Sequence, residues 1–135
     1  MAKKISEIEG IGKVYAEKLK SANLSNVEAL LEAGASKAGR KKIAQATGID
    51  ESKILTWVNM ADLFRVKGIG EEYSQLLEAA GVDTVKELRN RKADNLHAKM
   101  EEVNKSKKLV RQLPYLKNIE KWIEQAKALD PKVTH

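Results

Sequence analysis

Two short glycine pairs are the residues of this sequence best placed to do chemistry. Ile8-Glu9-Gly10-Ile11-Gly12 and Val66-Lys67-Gly68-Ile69-Gly70 each set one apolar residue between two glycines. Glycine permits positive φ and carries no Cβ, so the chain reverses tightly there and its backbone can come very near a ligand. Where such a turn opens a helix, the first-turn amides have no intrahelical acceptor and carry the positive end of the helix dipole. The chemistry on offer is non-covalent: a seat for an anion, which on a nucleic-acid backbone is a phosphate contacted without base identity.

The charges beside the two pairs differ. Lys13 follows Gly12 and Lys18 lies further along the same helix, adding cations beside the first turn. Glu71 and Glu72 follow Gly70 instead, where carboxylates satisfy the dipole themselves and repel an incoming phosphate. Lys67 and Arg65 offset them in part. The bland alternative for both turns is packing, with Ile11 and Ile69 plugging a core between two helices.

The elements that must hold these turns are helices. Ile54, Trp57, Val58 and Ala61 fall at i, i+3, i+4 and i+7, as do Tyr73, Leu76, Leu77 and Ala80, and again Ile119, Trp122, Ile123 and Ala126. No segment alternates with period two long enough for a strand, so the class is all-α. The spacing predicts eight short helices at about 13–22, 26–33, 37–47, 51–65, 71–80, 84–91, 94–103 and 115–129. Gly34, Gly48 and Gly81 stand where left-handed C-terminal residues belong, and Ser25, Ser36, Asp50 and Asp83 where N-caps belong. Pro114 suits the first turn of the last helix. Gly39, inside a predicted helix, has no explanation at this level.

Register then reveals a duplication. The glycine pairs are 58 residues apart, and at that offset Ile5 matches Leu63, Tyr15 Tyr73, Leu19 Leu77, Ala22 Ala80, Val27 Val85 and Leu30 Leu88. Trp57 through Ala61 echoes Trp122 through Ala126 at an offset of 65, so the second copy holds about seven more residues before Pro114. The expected repeats are residues 1–62 and 63–135, paired about a pseudo-two-fold axis into one compact unit.

Composition narrows the function classes. The chain has 135 residues, 25 Lys+Arg against 19 Asp+Glu, a net charge of +6 and no cysteine. Without cysteine there is no disulfide, no thiolate nucleophile and no Cys-type zinc site. No apolar run approaches the roughly 18 residues that a bilayer demands, and the N-terminus has no apolar signal core, so the expectation is a cytoplasmic protein without membrane contact. His97 lacks partners at metal spacing and His135 is the final residue. No phosphate-binding Gly-x4-Gly-Lys run and no nucleophile-elbow motif occur. We expect no catalytic residue, no cofactor and no small-molecule substrate.

Cations also cluster at Arg40-Lys41-Lys42 and at Lys105, Lys107, Lys108 and Arg111, with a third group at Arg89-Asn90-Arg91-Lys92. The first two are candidates to track a phosphate backbone, against the plainer alternative of solvated helix faces. Trp57 and Trp122 lie on apolar stripes and read as core. Tyr15 and Tyr73 read as packing against the partner copy.

The pattern of an apolar residue, a spacer, Gly-apolar-Gly, three residues and a small residue resembles the helix-hairpin-helix superfamily. Ile8 through Gly12 with Ala16, and Val66 through Gly70 with Ser74, both fit it. The run Leu63 through Gly70 looks like the hairpin of family X repair polymerases. Over its full length the chain is similar to an uncharacterised family of small tandem helix-hairpin-helix proteins classed as a domain of unknown function. The resemblance implies phosphate contacts at the amides of Gly10, Gly12 and Val14 and at those of Gly68, Gly70 and Glu72. In some members it also implies a monovalent cation on hairpin carbonyls, here those of Ser6, Ile8 and Ile11, and of Phe64, Val66 and Ile69. Two functions follow: sequence-independent DNA binding through the hairpin amides and basic patches, or a protein-interaction adaptor whose hairpins are structural.

Overall fold

The computed structural model describes residues 3–135, and among them it holds eight α-helices, one 3-10 turn and no strand. The 3-10 turn Ile5–Glu7 precedes α1 (Lys13–Ser21), α2 (Val27–Gly34), α3 (Lys37–Thr47), α4 (Glu51–Leu63), α5 (Glu71–Ala79), α6 (Val85–Leu88), α7 (Ala93–Lys107) and α8 (Leu116–Ala128). The all-α class read from the spacing is the class found. α7 runs further than its spacing suggests, to Lys107, where Lys108 turns left-handed at φ 50° and ends it.

The chain forms two compact units, one made of the residues up to Asp62 together with Lys132–His135, the other of Leu63–Pro131. The last four residues therefore belong to the first unit. Val133 is buried there, the Thr134 amide donates to the Ala35 carbonyl at 2.8 Å, and Lys132 pairs with Glu32 at 2.6 Å. That pairing holds the Glu32 carboxyl below its usual range.

Apolar periodicity decides which faces are buried. In α2, Val27, Leu30, Leu31 and Gly34 face inward, and in α8, Ile119, Trp122, Ile123 and Ala126 do so. In the second unit α8 meets α6 and α7, over a core that includes Leu76, Leu77, Met100 and Trp122.

The caps fall one residue later than expected at two places. Asn26, not Ser25, caps α2 by accepting from the Ala29 amide at 2.7 Å, and Thr84, not Asp83, caps α6 by accepting from Glu87. Buried Val27 and Val85 fix the first helical residue in each case, so the residue just before it becomes the cap. Ser36 caps α3, and Gly48 is left-handed at φ 74° as expected. Pro114 lies outside α8, ahead of its N-cap Tyr115.

Gly34 is not a left-handed cap but the last residue of α2. What it cannot carry is volume, since a Cβ there would lie 2.5 Å from Val58 Cγ2. Gly39 has a similar explanation. Only Ala35 and Ser36 separate α2 from α3, and the corner is so tight that a Cβ on Gly39 would overlap the Ala33 carbonyl oxygen.

Candidate functional site

The first hairpin is built from buried isoleucines inward and bare backbone outward. Ile5, Ile8 and Ile11 are buried beneath the turn, while Gly10, Gly12, Lys13 and Val14 are exposed. Gly10 makes the reversal at φ +92°. Gly12 is the N-cap of α1 in ordinary extended backbone, φ −84° and ψ −174°, and no side chain caps the helix. The helical ladder starts with the Ala16 amide donating to the Gly12 carbonyl at 2.9 Å, so the amides of Lys13, Val14 and Tyr15 precede the first rung. No acid stands in that first turn, and Val14 stays 64 % exposed, so none of the described residues covers it.

Ile11 leaves the candidate set. Its amide already donates to the Ile8 carbonyl at 3.2 Å and its side chain is core. The same bond occupies one lone pair on Ile8, one of the three carbonyls of the implied cation site, together with Ser6 and Ile11. Carbonyl oxygens suit a monovalent cation in type.

The second hairpin repeats the backbone and changes the charge. Gly68 has φ +102°, and Gly70 is an extended N-cap of α5 with no capping side chain. Glu71 and Glu72 fill the first turn of α5. The turn is also tied down. Lys67 N–H donates to Gln125 Oε1 at 2.9 Å, and Gln125 Nε2 donates back to the Lys67 carbonyl at 3.2 Å. Nothing in the sequence patterning marked Gln125; its place three residues after Trp122, at the edge of the buried stripe of α8, is the signal that was there to find.

The positive-φ glycine of each hairpin sits against a tryptophan. A Cβ on Gly10 would lie 3.2 Å from Trp57 Nε1, and one on Gly68 would lie 2.8 Å from Trp122 Nε1. Both indoles are buried, as their stripes suggest, and each takes a tyrosine ring of its own unit: Tyr15 against Trp57 at 5.2 Å and Tyr73 against Trp122 at 5.3 Å. Each tyrosine thus finds its aromatic neighbour within its own unit. Lys18 lies over Tyr15, its Nζ 5.9 Å from the ring centre.

Arg40 is the clearest correction among the candidate cations. It is 4 % exposed, and its guanidinium donates to the carbonyls of Gly34 at 2.9 Å, Ala35 at 3.1 Å and Thr134 at 2.7 Å. Burial holds its pKa below the usual arginine range, against an opposing pull from Glu51. Arginine stays charged regardless, and here it satisfies carbonyls at the end of α2 and in the C-terminal segment. Lys41 and Lys42, in contrast, are exposed on α3, and Lys105, Lys107 and Lys108 are exposed at the end of α7. Arg91 is engaged with Glu87 and with the Gly81 carbonyl. Glu78 of α5 is pushed above its usual range, by burial first and then by Asp83, with Lys107 pulling the other way.

Several hollows border these elements. One of about 460 Å³ runs beside α1, lined by Ile5, Ile11, Gly12, Lys13 and Ala16 among others. Among the described residues no cluster of three His, Cys, Asp or Glu side chains could hold a metal ion, and no helix is long and apolar enough to cross a membrane. A family model described as Domain of unknown function (DUF4332) matches residues 9–129. No solved structure matches the chain.

Proposed function

The chain belongs to the DUF4332 family, and from that premise we propose that it is a tandem helix-hairpin-helix protein that binds duplex DNA without regard to sequence, through Gly12, Lys13 and Val14. Gly12 carries the reading. Its φ and ψ are open to any residue, and a Cβ on it would meet nothing within 4 Å. Neither strain nor packing explains a glycine there. Close approach by a ligand does, because any side chain at the N-cap would stand between a phosphate and the amides of the first turn. Lys13 and Lys18 supply the charge. Lys41 and Lys42 are further candidates on α3. The protein acts by binding and assigns no residue to catalysis.

Gly70 has equally open surroundings, but Glu71 and Glu72 weigh against phosphate at the second hairpin. They are the observation that favours the other reading, an adaptor that binds protein. A stoichiometric, nuclease-resistant partner in a pulldown would support that adaptor.

The test uses fluorescence anisotropy with a labelled duplex. Log K is expected to fall linearly with log salt, and Lys13→Glu to weaken every duplex about tenfold while flattening that slope. Gly12→Ser is the sharper variant. Serine is at least as good an N-cap as glycine, so the unfolding midpoint holds or rises, while the duplex affinity drops about fivefold or more because the hydroxyl now takes an amide meant for phosphate. A Gly12→Ser protein that binds like wild type would overturn the reading.

A further inference from the structure

If the first unit reaches DNA through its helix start, the acidic start of α5 leaves the second unit needing another route. A groove of about 250 Å³ borders that hairpin's turn, lined by Lys67, Gly68, Asn118, Lys121, Trp122 and Gln125. Asn118, Lys121, Trp122 and Gln125 fall at i, i+3, i+4 and i+7, one face of α8. Gln125 spends its amide on the Lys67 backbone and so fixes the turn against that face.

Trp122 is 3 % exposed, yet its indole N–H has no hydrogen-bond acceptor among the described residues. No buried side-chain nitrogen or oxygen among the described residues lacks a partner, so this N–H is not sealed in the core; it reaches the surface at the groove beside Gly68, open to an acceptor from outside. Neither Lys67 nor Lys121 has an ion-pair partner among the described residues. An unused N–H, an exposed carboxamide and two ammonium groups line one hollow that no acid lines. The corresponding hollow of the first unit also has its tryptophan, Trp57, but an acid, Glu9, lines it beside Lys53, and Met60 stands where Gln125 does.

We propose that the groove of the second unit is a phosphate site, in which Trp122 Nε1–H and the Asn118 amide donate to the phosphate oxygens while Lys67 and Lys121 neutralise them. Through it the second unit holds a DNA backbone phosphate. This rests on the DNA-binding reading above, and it places the second unit's contact at α8 rather than at the amides of α5.

The chain has two tryptophans, so a ¹H–¹⁵N spectrum of the whole protein carries two indole signals, assigned with Trp57→Phe. Inorganic phosphate, titrated against chloride at equal ionic strength, is expected to move the Trp122 signal and leave that of Trp57 in place. Lys121→Glu, an exposed change that leaves the core intact, abolishes the movement. With a short duplex the Trp122 signal moves again, and Lys121→Glu lowers the salt slope of binding by about one. Equal response of the two indoles to phosphate would overturn the proposal, and so would a duplex that binds while the Trp122 signal stays still. Failure of the DNA-binding reading looks different: no change in anisotropy on adding duplex to the wild-type protein.

Discussion

Gly39→Ala is expected to lower the midpoint of thermal unfolding by more than about 10 °C. The new methyl group would overlap the Ala33 carbonyl oxygen, which is backbone and cannot rotate away. Ser36 Oγ also lies 3.2 Å from the new atom, and it is the cap that accepts from the Gly39 amide at 3.0 Å. Relief requires α2 and α3 to part, exposing Leu30 and Ile43 and breaking that cap. Overpacking costs about 1–3 kcal/mol where side chains can give way, and losing a cap adds about 1. In a small domain each kcal/mol is worth about 4–8 °C. An alanine variant melting within about 2 °C of wild type would show that the two helices are not held this close.

Arg40→Met is expected to cost about 3 kcal/mol of stability and leave DNA affinity unchanged. Methionine keeps much of the buried stem but removes the hydrogen bonds to Gly34, Ala35 and Thr134. Hydrogen bonds from a charged donor contribute about 1.5–3 kcal/mol each, and the carbonyls left behind regain water only in part as the C-terminal residues loosen. Urea unfolding reads the stability, and anisotropy at a temperature where the variant is folded reads the binding. The reverse pattern, a normal urea midpoint with weakened DNA binding, would return Arg40 to the interface that its neighbours Lys41 and Lys42 suggested.

These two residues mark where sequence reading stops. The stripes of α2, α5 and α8 were legible because burial of an amphipathic helix imposes its period on the sequence. The positive φ of Gly10 and Gly68 was legible for a related reason, since Gly-apolar-Gly between helices needs a tight reversal. Gly39 was not, because what forbids its Cβ is a carbonyl of another helix, and no local pattern encodes that distance. Arg40 stands beside two lysines and reads as one of three surface cations; its partners include a carbonyl 94 positions away. Trp122 was correctly read as core, but burial of a ring says nothing of which edge borders a groove. In the candidate site, Gly12, Lys13 and Lys18 were visible from the sequence. The separate reasons for the two glycines of the pair, reversal at Gly10 and open space at Gly12, needed coordinates.

The central claim is that the amides opening α1 are the surface that meets DNA. Backbone ¹H–¹⁵N signals of the full chain, followed during titration with a short duplex at low salt, test it directly. The largest shifts are expected at Gly12, Lys13 and Val14, reversing as salt is raised. A duplex that binds while those three signals stay fixed, with the changes confined to the exposed lysines of α3 or α7, would contradict the account.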